Sequence, residues 1–162
     1  MKITRFQLYD LLNRPGPLWL VGADLEDVDL QRANLRGANL NRTHLTGANL
    51  HQANLEGADL RDAVLVNVNL RGAILRGANM LGVDLQGSDL QLADVVGSVL
   101  RDAKLQNASF ESANLQHAIL EGADLRGANL QNANLRDAVI QGANLEGTQM
   151  KGAIMPDGSQ HT

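Results

Sequence analysis

Ala33-Asn34-Leu35-Arg36-Gly37-Ala38-Asn39-Leu40-Asn41-Arg42 is one five-residue phrase written twice, and the phrase runs from Leu20 to Met155 without an insertion. Every multiple of five from 20 to 155 is a large apolar residue: 22 of these 28 positions are Leu, and the others are Met80, Val95, Phe110, Ile140, Met150 and Met155. Two residues earlier the side chain is always small or β-branched, usually Ala.

A period of five excludes the two regular structures. On an α-helix, five residues advance the side chain by roughly 140°, which would scatter the leucines around the axis. On a flat strand an odd period sends successive leucines to opposite faces. A chain that turns a corner in every pentapeptide survives, with the small residue and the Leu pointing inward each time; such a chain is a solenoid. Glycines such as Gly37, Gly47, Gly57, Gly77 and Gly127 supply the permissive backbone that a corner needs. The Asn or Asp before the large residue, as at Asn34, Asn49, Asp59 and Asp124, can hydrogen-bond its local backbone.

The tandem A-(D/N)-L-x-x pattern, uninterrupted over most of the chain, resembles the pentapeptide-repeat proteins. That resemblance implies an all-β fold: a right-handed quadrilateral parallel β-helix with four pentapeptides per 20-residue coil. One feature of the sequence agrees with a coil of 20. The position before the large residue is elsewhere mostly polar, yet Val99, Ile119 and Val139 are apolar at intervals of 20 and are expected to stack on one face. Residues 21–155 then make 27 pentapeptides, nearly seven coils, in a rod roughly 32 Å long at a strand spacing of about 4.8 Å. The expected organisation is an N-terminal helical cap over 1–19, the β-helix over 20–155, and a turn and tail over 156–162.

The whole is one domain of 162 residues. Its four aromatics, Phe6, Tyr9, Trp19 and Phe110, are too few for a conventional mixed core. With no cysteine, neither disulfide nor thiolate metal site is available. No stretch approaches the roughly 20 apolar residues of a membrane span, and the first residues lack a signal-peptide layout; the expected location is cytoplasmic, with no membrane partner. A net charge of -4 argues against direct binding of nucleic acid through a basic patch.

Before the array, Thr4-Arg5-Phe6-Gln7 fits a capping box opening a short helix from about Arg5 to Asn13, which Arg14-Pro15-Gly16-Pro17 stops. The helix is expected to lay Phe6, Leu8, Tyr9 or Leu12, with Leu18 and Trp19, over the open end of the first coil. After the array, Pro156-Asp157-Gly158 reads as a turn. Either the tail folds over the last coil, which is the favoured expectation, or that end pairs with another copy by strand addition.

Reactive constellations are scarce. Asp24, Glu26, Asp27 and Asp29 gather four acids but lack the spacing of a calcium loop. His44 and His51 lack a third ligand, and His117 and His161 lie elsewhere. Ser88 and Ser98 occupy inward positions, and Ser109 and Ser112 have no His-acid neighbours in sequence. No enzyme, cofactor or metal site is expected. The informative deviations are outward apolar residues: Val64, Val66, Ile74, Leu81, Leu92 and Val96, and above all the Val99, Ile119, Val139 stripe. Arg36, Arg76 and Arg136 share one side of the coil, with acids such as Glu56 placed to offset them.

The expected function is that of a non-enzymatic protein-interaction rod with an unidentified protein partner. The stripe and the C-terminal coil are the two candidate contacts for a homodimer. The resemblance implies no activity, since many such proteins, abundant in cyanobacteria, have no assigned biochemical role. It also implies an alternative, a DNA-mimicking binder that protects or inhibits DNA gyrase. The relatives of that type favour Phe at the central position, where this chain has only Phe110, and carry C-terminal helices with no counterpart after Met155. A continuous negative stripe would favour mimicry; a mixed surface with an apolar patch would favour protein docking.

Overall fold

The backbone turns every five residues and returns to the same side every 20. In the computed structural model, which describes residues 8, 10, 12, 13 and 16–162, each parallel bridge joins a residue to the one 20 further on. Four ladders result. Face I carries Trp19, Asn39, Asp59, Asn79, Val99, Ile119 and Val139; face II runs from Asp24 to Asn144, face III from Asp29 to Gln149, and face IV from Asn34 to Ile154. The fold is thus a four-sided parallel β-helix. Each side is too short for a continuous strand, so the ladders consist of single bridged residues, each flanked by its inward Ala and Leu.

The turn chemistry explains the shape. At every corner but one the carbonyl of the large residue accepts the N–H three residues on, as in Ala73 N–H to Leu70 O at 2.9 Å; at the Leu65 corner the Ser88 hydroxyl comes between, accepting from Val68 N–H and donating to Leu65 O. The second corner residue has positive φ at every corner from Gly22 to Gly152 and the first never does, the sign pattern of a type II turn. Where the residue on the face is Asn or Asp, it then locks the corner from outside. Asp89 Oδ1 accepts Gln91 N–H at 2.9 Å, Asn54 accepts Glu56 N–H at 3.0 Å, and Asn134 accepts Arg136 N–H at 3.1 Å. These bonds satisfy an N–H that the inter-coil ladder leaves unused.

Inside, the Leu at every fifth position from Leu25 to Leu135 is buried, with Met80, Val95 and Phe110 in the same columns. Each contributes about 1.5–3 kcal/mol of burial before chain entropy is subtracted. Thr43, Ser88 and Ser98 replace Ala inside and remain satisfied: Thr43 Oγ1 donates to Leu40 O at 2.7 Å and Ser98 Oγ to Val95 O at 2.9 Å.

At the N-terminal end Leu8, Asp10 and Leu12 are helical. Leu8 and Leu18 are buried in the core cluster and Leu12 packs against it. Trp19 departs from its expected capping role: it is 75% exposed on the outside of face I, because its bridge to Asn39 places it at an outward ladder position. Thr4, Phe6, Gln7 and Tyr9, and with them the capping box, lie outside the described residues.

At the other end the tail turns back along face IV, with Ile154 and Gln160 bridged antiparallel. Gly152 N–H donates to His161 O and His161 N–H to Ala153 O, both at 2.8 Å. The tail covers one side of four. On the others Ile140, Leu145 and Met150 are half-buried.

Candidate interaction surface

Charge and apolar surface divide between sides of the rod. Faces II and III with their shared corner carry eight carboxylates against two bases, Lys104 and Arg126. That excess of six exceeds the chain's whole net charge of -4. The acid is interrupted: between Asp29 and Asp84 those faces present His44, Asn49, Val64 and Asn69. At the end near residue 20, Asp24 and Asp29 are engaged as corner locks, accepting Glu26 N–H at 3.3 Å and Gln31 N–H at 3.1 Å.

Around face I the charges are neutralised along the rod axis. Arg36 meets Glu56 at 3.2 Å, Arg42 meets Asp62 at 3.8 Å, and Arg101 meets Glu121 at 2.6 Å, each pair one coil apart. Such exposed pairs contribute about 0–1 kcal/mol each; their effect here is to leave a neutral surround. Arg61 and Arg126 instead clamp the carboxylate two residues back, Asp59 and Asp124, at 2.6 Å. The hydrogen-bonded Arg61 guanidinium holds the Asp59 carboxyl below its ordinary range. Arg126 does the same to Asp124, which is lowered to about 2.

The structure brings Val99, Ile119 and Val139 together on consecutive rungs. Val99 is bridged to Ile119 and Ile119 to Val139, with Ile119 N–H donating to Ser98 O at 2.9 Å and Val139 N–H to Ala118 O at 2.9 Å. Val99 and Ile119 are half-buried by their neighbours and Val139 is 37% exposed. The three give up something that the sequence alone did not reveal. A hydrocarbon side chain cannot accept the corner N–H of Arg101, Glu121 or Gln141, so three successive rungs forgo the lock that Asn79 supplies to Leu81 at 3.3 Å. The same face also carries Trp19 at its other end, with Val21, 54% exposed, on the adjacent corner.

The remaining candidates do not converge. His44 stands on face II, His51 at the corner between faces III and IV, and His117 lies 3.9 Å from Asp137. Among the described residues no three His, Cys, Asp or Glu side chains are placed to hold a metal ion. Ser88 and Ser98 are buried with hydroxyls bound to backbone carbonyls. An open groove of about 460 Å³ beside the tail is lined by Gln131, Asn132, Lys151 and His161 among others. No helix among the described residues is long and apolar enough to cross a membrane.

Fold and surface together define a repeat solenoid with a filled core, whose chemistry lies in its outward columns. The chain belongs to the pentapeptide-repeat family: the family profile, pentapeptide repeats, matches in overlapping blocks over residues 23–62, 53–91, 63–102, 93–132 and 118–155. Members of this family are generally structural or interaction modules, and no catalytic family is indicated. Similar solved structures include the pentapeptide-repeat protein Rfr23 from the cyanobacterium Cyanothece 51142, 32% identical over 83% of this chain and 85% of that one, with a TM-score of 0.51. HetL from Nostoc sp. strain PCC 7120, a pentapeptide-repeat protein involved in heterocyst differentiation regulation, is 33% identical over 88% of this chain and 81% of its own, with a TM-score of 0.36. QnrB1, a plasmid-mediated fluoroquinolone resistance protein, is 18% identical over 91% of this chain and 88% of its own, with a TM-score of 0.49. The family membership and the likeness to Rfr23 support the right-handed β-helix. No curated protein sequence matches the chain.

Proposed function

We propose that this protein is a non-enzymatic, cytoplasmic interaction module, a rigid rod that docks a protein partner through face I. The observation that carries the reading is the Val99, Ile119, Val139 stack. Three consecutive rungs place hydrocarbon outward and forgo their corner hydrogen bonds, two costs that the fold avoids at most other rungs by using Asn or Asp. Apolar surface that is contiguous and surrounded by neutralised charge is the composition of a protein contact. The interrupted acid of faces II and III supports this reading over mimicry of a DNA backbone, whose charge is continuous.

The test is affinity capture with the wild type and with Ile119→Asp as baits, in an extract of cells that make the protein. A protein held by the wild type and lost with the variant supports docking through face I. Equal retention by both baits sinks it.

A further inference from the structure

Face I and its corner with face II are arranged as a sequence that reads well against its own reverse. From one end to the other the face presents Trp19, then Asn39, Asp59 and Asn79, then the apolar stack of Val99, Ile119 and Val139. The corner column beside it presents Val21, Arg42, the Arg61-Asp62 pair, Leu81, the Arg101-Asp102 pair, Glu121 and Gln141. Rotating a second copy by half a turn about an axis across the face at the Asn79 rung leaves this corner facing itself with the order inverted. Leu81, 37% exposed, then meets Leu81 of the other copy. Arg42 of each copy faces Glu121 of the other, and Arg61-Asp62 faces Arg101-Asp102 with opposite charges able to alternate. Trp19, the largest exposed apolar group and the only tryptophan, falls on the Val139 end of the stack, twice over. Asp59, which falls beside the partner's Val99, enters already clamped by Arg61 at 2.6 Å.

A parallel pairing sets the apolar stack on itself but lacks the charge matches of the corners. It sets Asp59 against Asp59 and turns the face I/II corner toward the face IV/I corner, opposing Arg42 to Arg36. The rotation that keeps each corner facing itself sets Ile119 over the partner's Asn39 and Val99 over its clamped Asp59, with the apolar ends, Trp19 and Val139, on one another and the corner charges opposed in sign.

We infer that face I is the contact of an antiparallel, side-by-side homodimer in which each Trp19 packs on the partner's Val139 and Arg42 pairs with the partner's Glu121. This rests on face I being an interaction surface and names its occupant as a second copy of the chain.

The experiment is sedimentation equilibrium of the full chain over a range of concentrations, read beside the emission of Trp19. A dimer whose formation shifts the Trp19 emission to shorter wavelength is expected, with both effects lost in folded Ile119→Asp. Arg42→Glu and Glu121→Arg each weaken dimerisation, by an expected factor of several in the dissociation constant, and combining them restores it. The two residues stand four coils apart in one copy, about 19 Å at the strand spacing, so rescue can arise only between copies. Circular dichroism confirms that each variant is folded. A chain that stays monomeric at every concentration overturns the proposal while leaving face I open to a foreign partner, which the bait comparison decides separately. A dimer with unshifted Trp19 emission, or without rescue by the double charge exchange, also overturns it.

Discussion

Leu92 combines two costs in one residue. It sits at a corner with φ of 59° and is 57% exposed, whereas Gly72 holds the equivalent corner one coil before it. An L side chain in the left-handed region costs roughly 1–2 kcal/mol, partly offset by the lower freedom of Leu in the unfolded chain. Leu92→Gly is therefore expected to stabilise the fold by about 0.5–1 kcal/mol, seen as a higher urea midpoint with unchanged slope. Glycine has a second, steric role at other corners. A Cβ built on Gly122 would lie 2.5 Å from Asp102 Oδ1, and on Gly127 2.6 Å from Asn107 Oδ1, whereas on Gly142 it meets nothing nearer than 3.8 Å. Gly122→Ala should lose about 0.5–1 kcal/mol more than Gly142→Ala, because the Asp102 carboxylate must turn aside from its rotamer, and in an Asp102→Ala background the two should cost the same. A double-mutant cycle by urea unfolding measures the difference; equal costs in the wild-type background would refute the contact.

Corners and faces were unequally legible in the sequence. The Leu and Ala columns and the Val99, Ile119, Val139 stack could be read because they follow a period of five and its multiple of 20, and the family profile and bridges agree. Glycine named only about half of the corners. Asp27, Arg32, Gln52, Leu92 and His117 also adopt positive φ, because four packed faces impose the turn whatever the residue. Trp19 was misplaced as a cap, since the ladder register had to be extended one step before Leu20 to see it as outward. Within one element, the Asp124-Arg126 clamp makes a prediction about pH. The folded carboxyl is lowered to about 2 from an ordinary 3.8, so its contribution is present above about pH 4 and is lost as pH falls through about 2. The pair is exposed, so the contribution is about 0–1 kcal/mol. Asp124→Asn keeps an acceptor for Arg126 N–H, 3.2 Å away in the wild type, and removes the charge. The wild type should exceed this variant in stability at pH 6 and match it near pH 2, as chemical denaturation at the two pH values would show.

For the whole molecule, the core is written in fives but the corners are written in twenties. At all six corners where Asp or Asn has positive φ and a further corner follows one coil on, that next corner is Gly: Asp27, Asp62, Asn67, Asp102, Asn107 and Asn132 face Gly47, Gly82, Gly87, Gly122, Gly127 and Gly152. A solenoid whose stability is a sum over neighbouring coils tolerates removal of a whole coil only where the new neighbours fit. Deleting residues 113–132 joins coils so that Asp102 faces Gly142 and Asn107 faces Gly147, and Val99 still stacks on Val139. Deleting 68–87 removes the same length and a similar set of inward residues, but sets Asp62 against Asp102 and Asn67 against Asn107. Both shortened chains keep the five-residue register and should fold, with the second less stable by about 1–3 kcal/mol from crowding and like charge at its new corners. Thermal and urea unfolding of the two compare them directly. Equal stabilities would mean that only the Leu and Ala columns select which coils can be neighbours, and that the pairing of Asp or Asn with Gly is incidental to the fold.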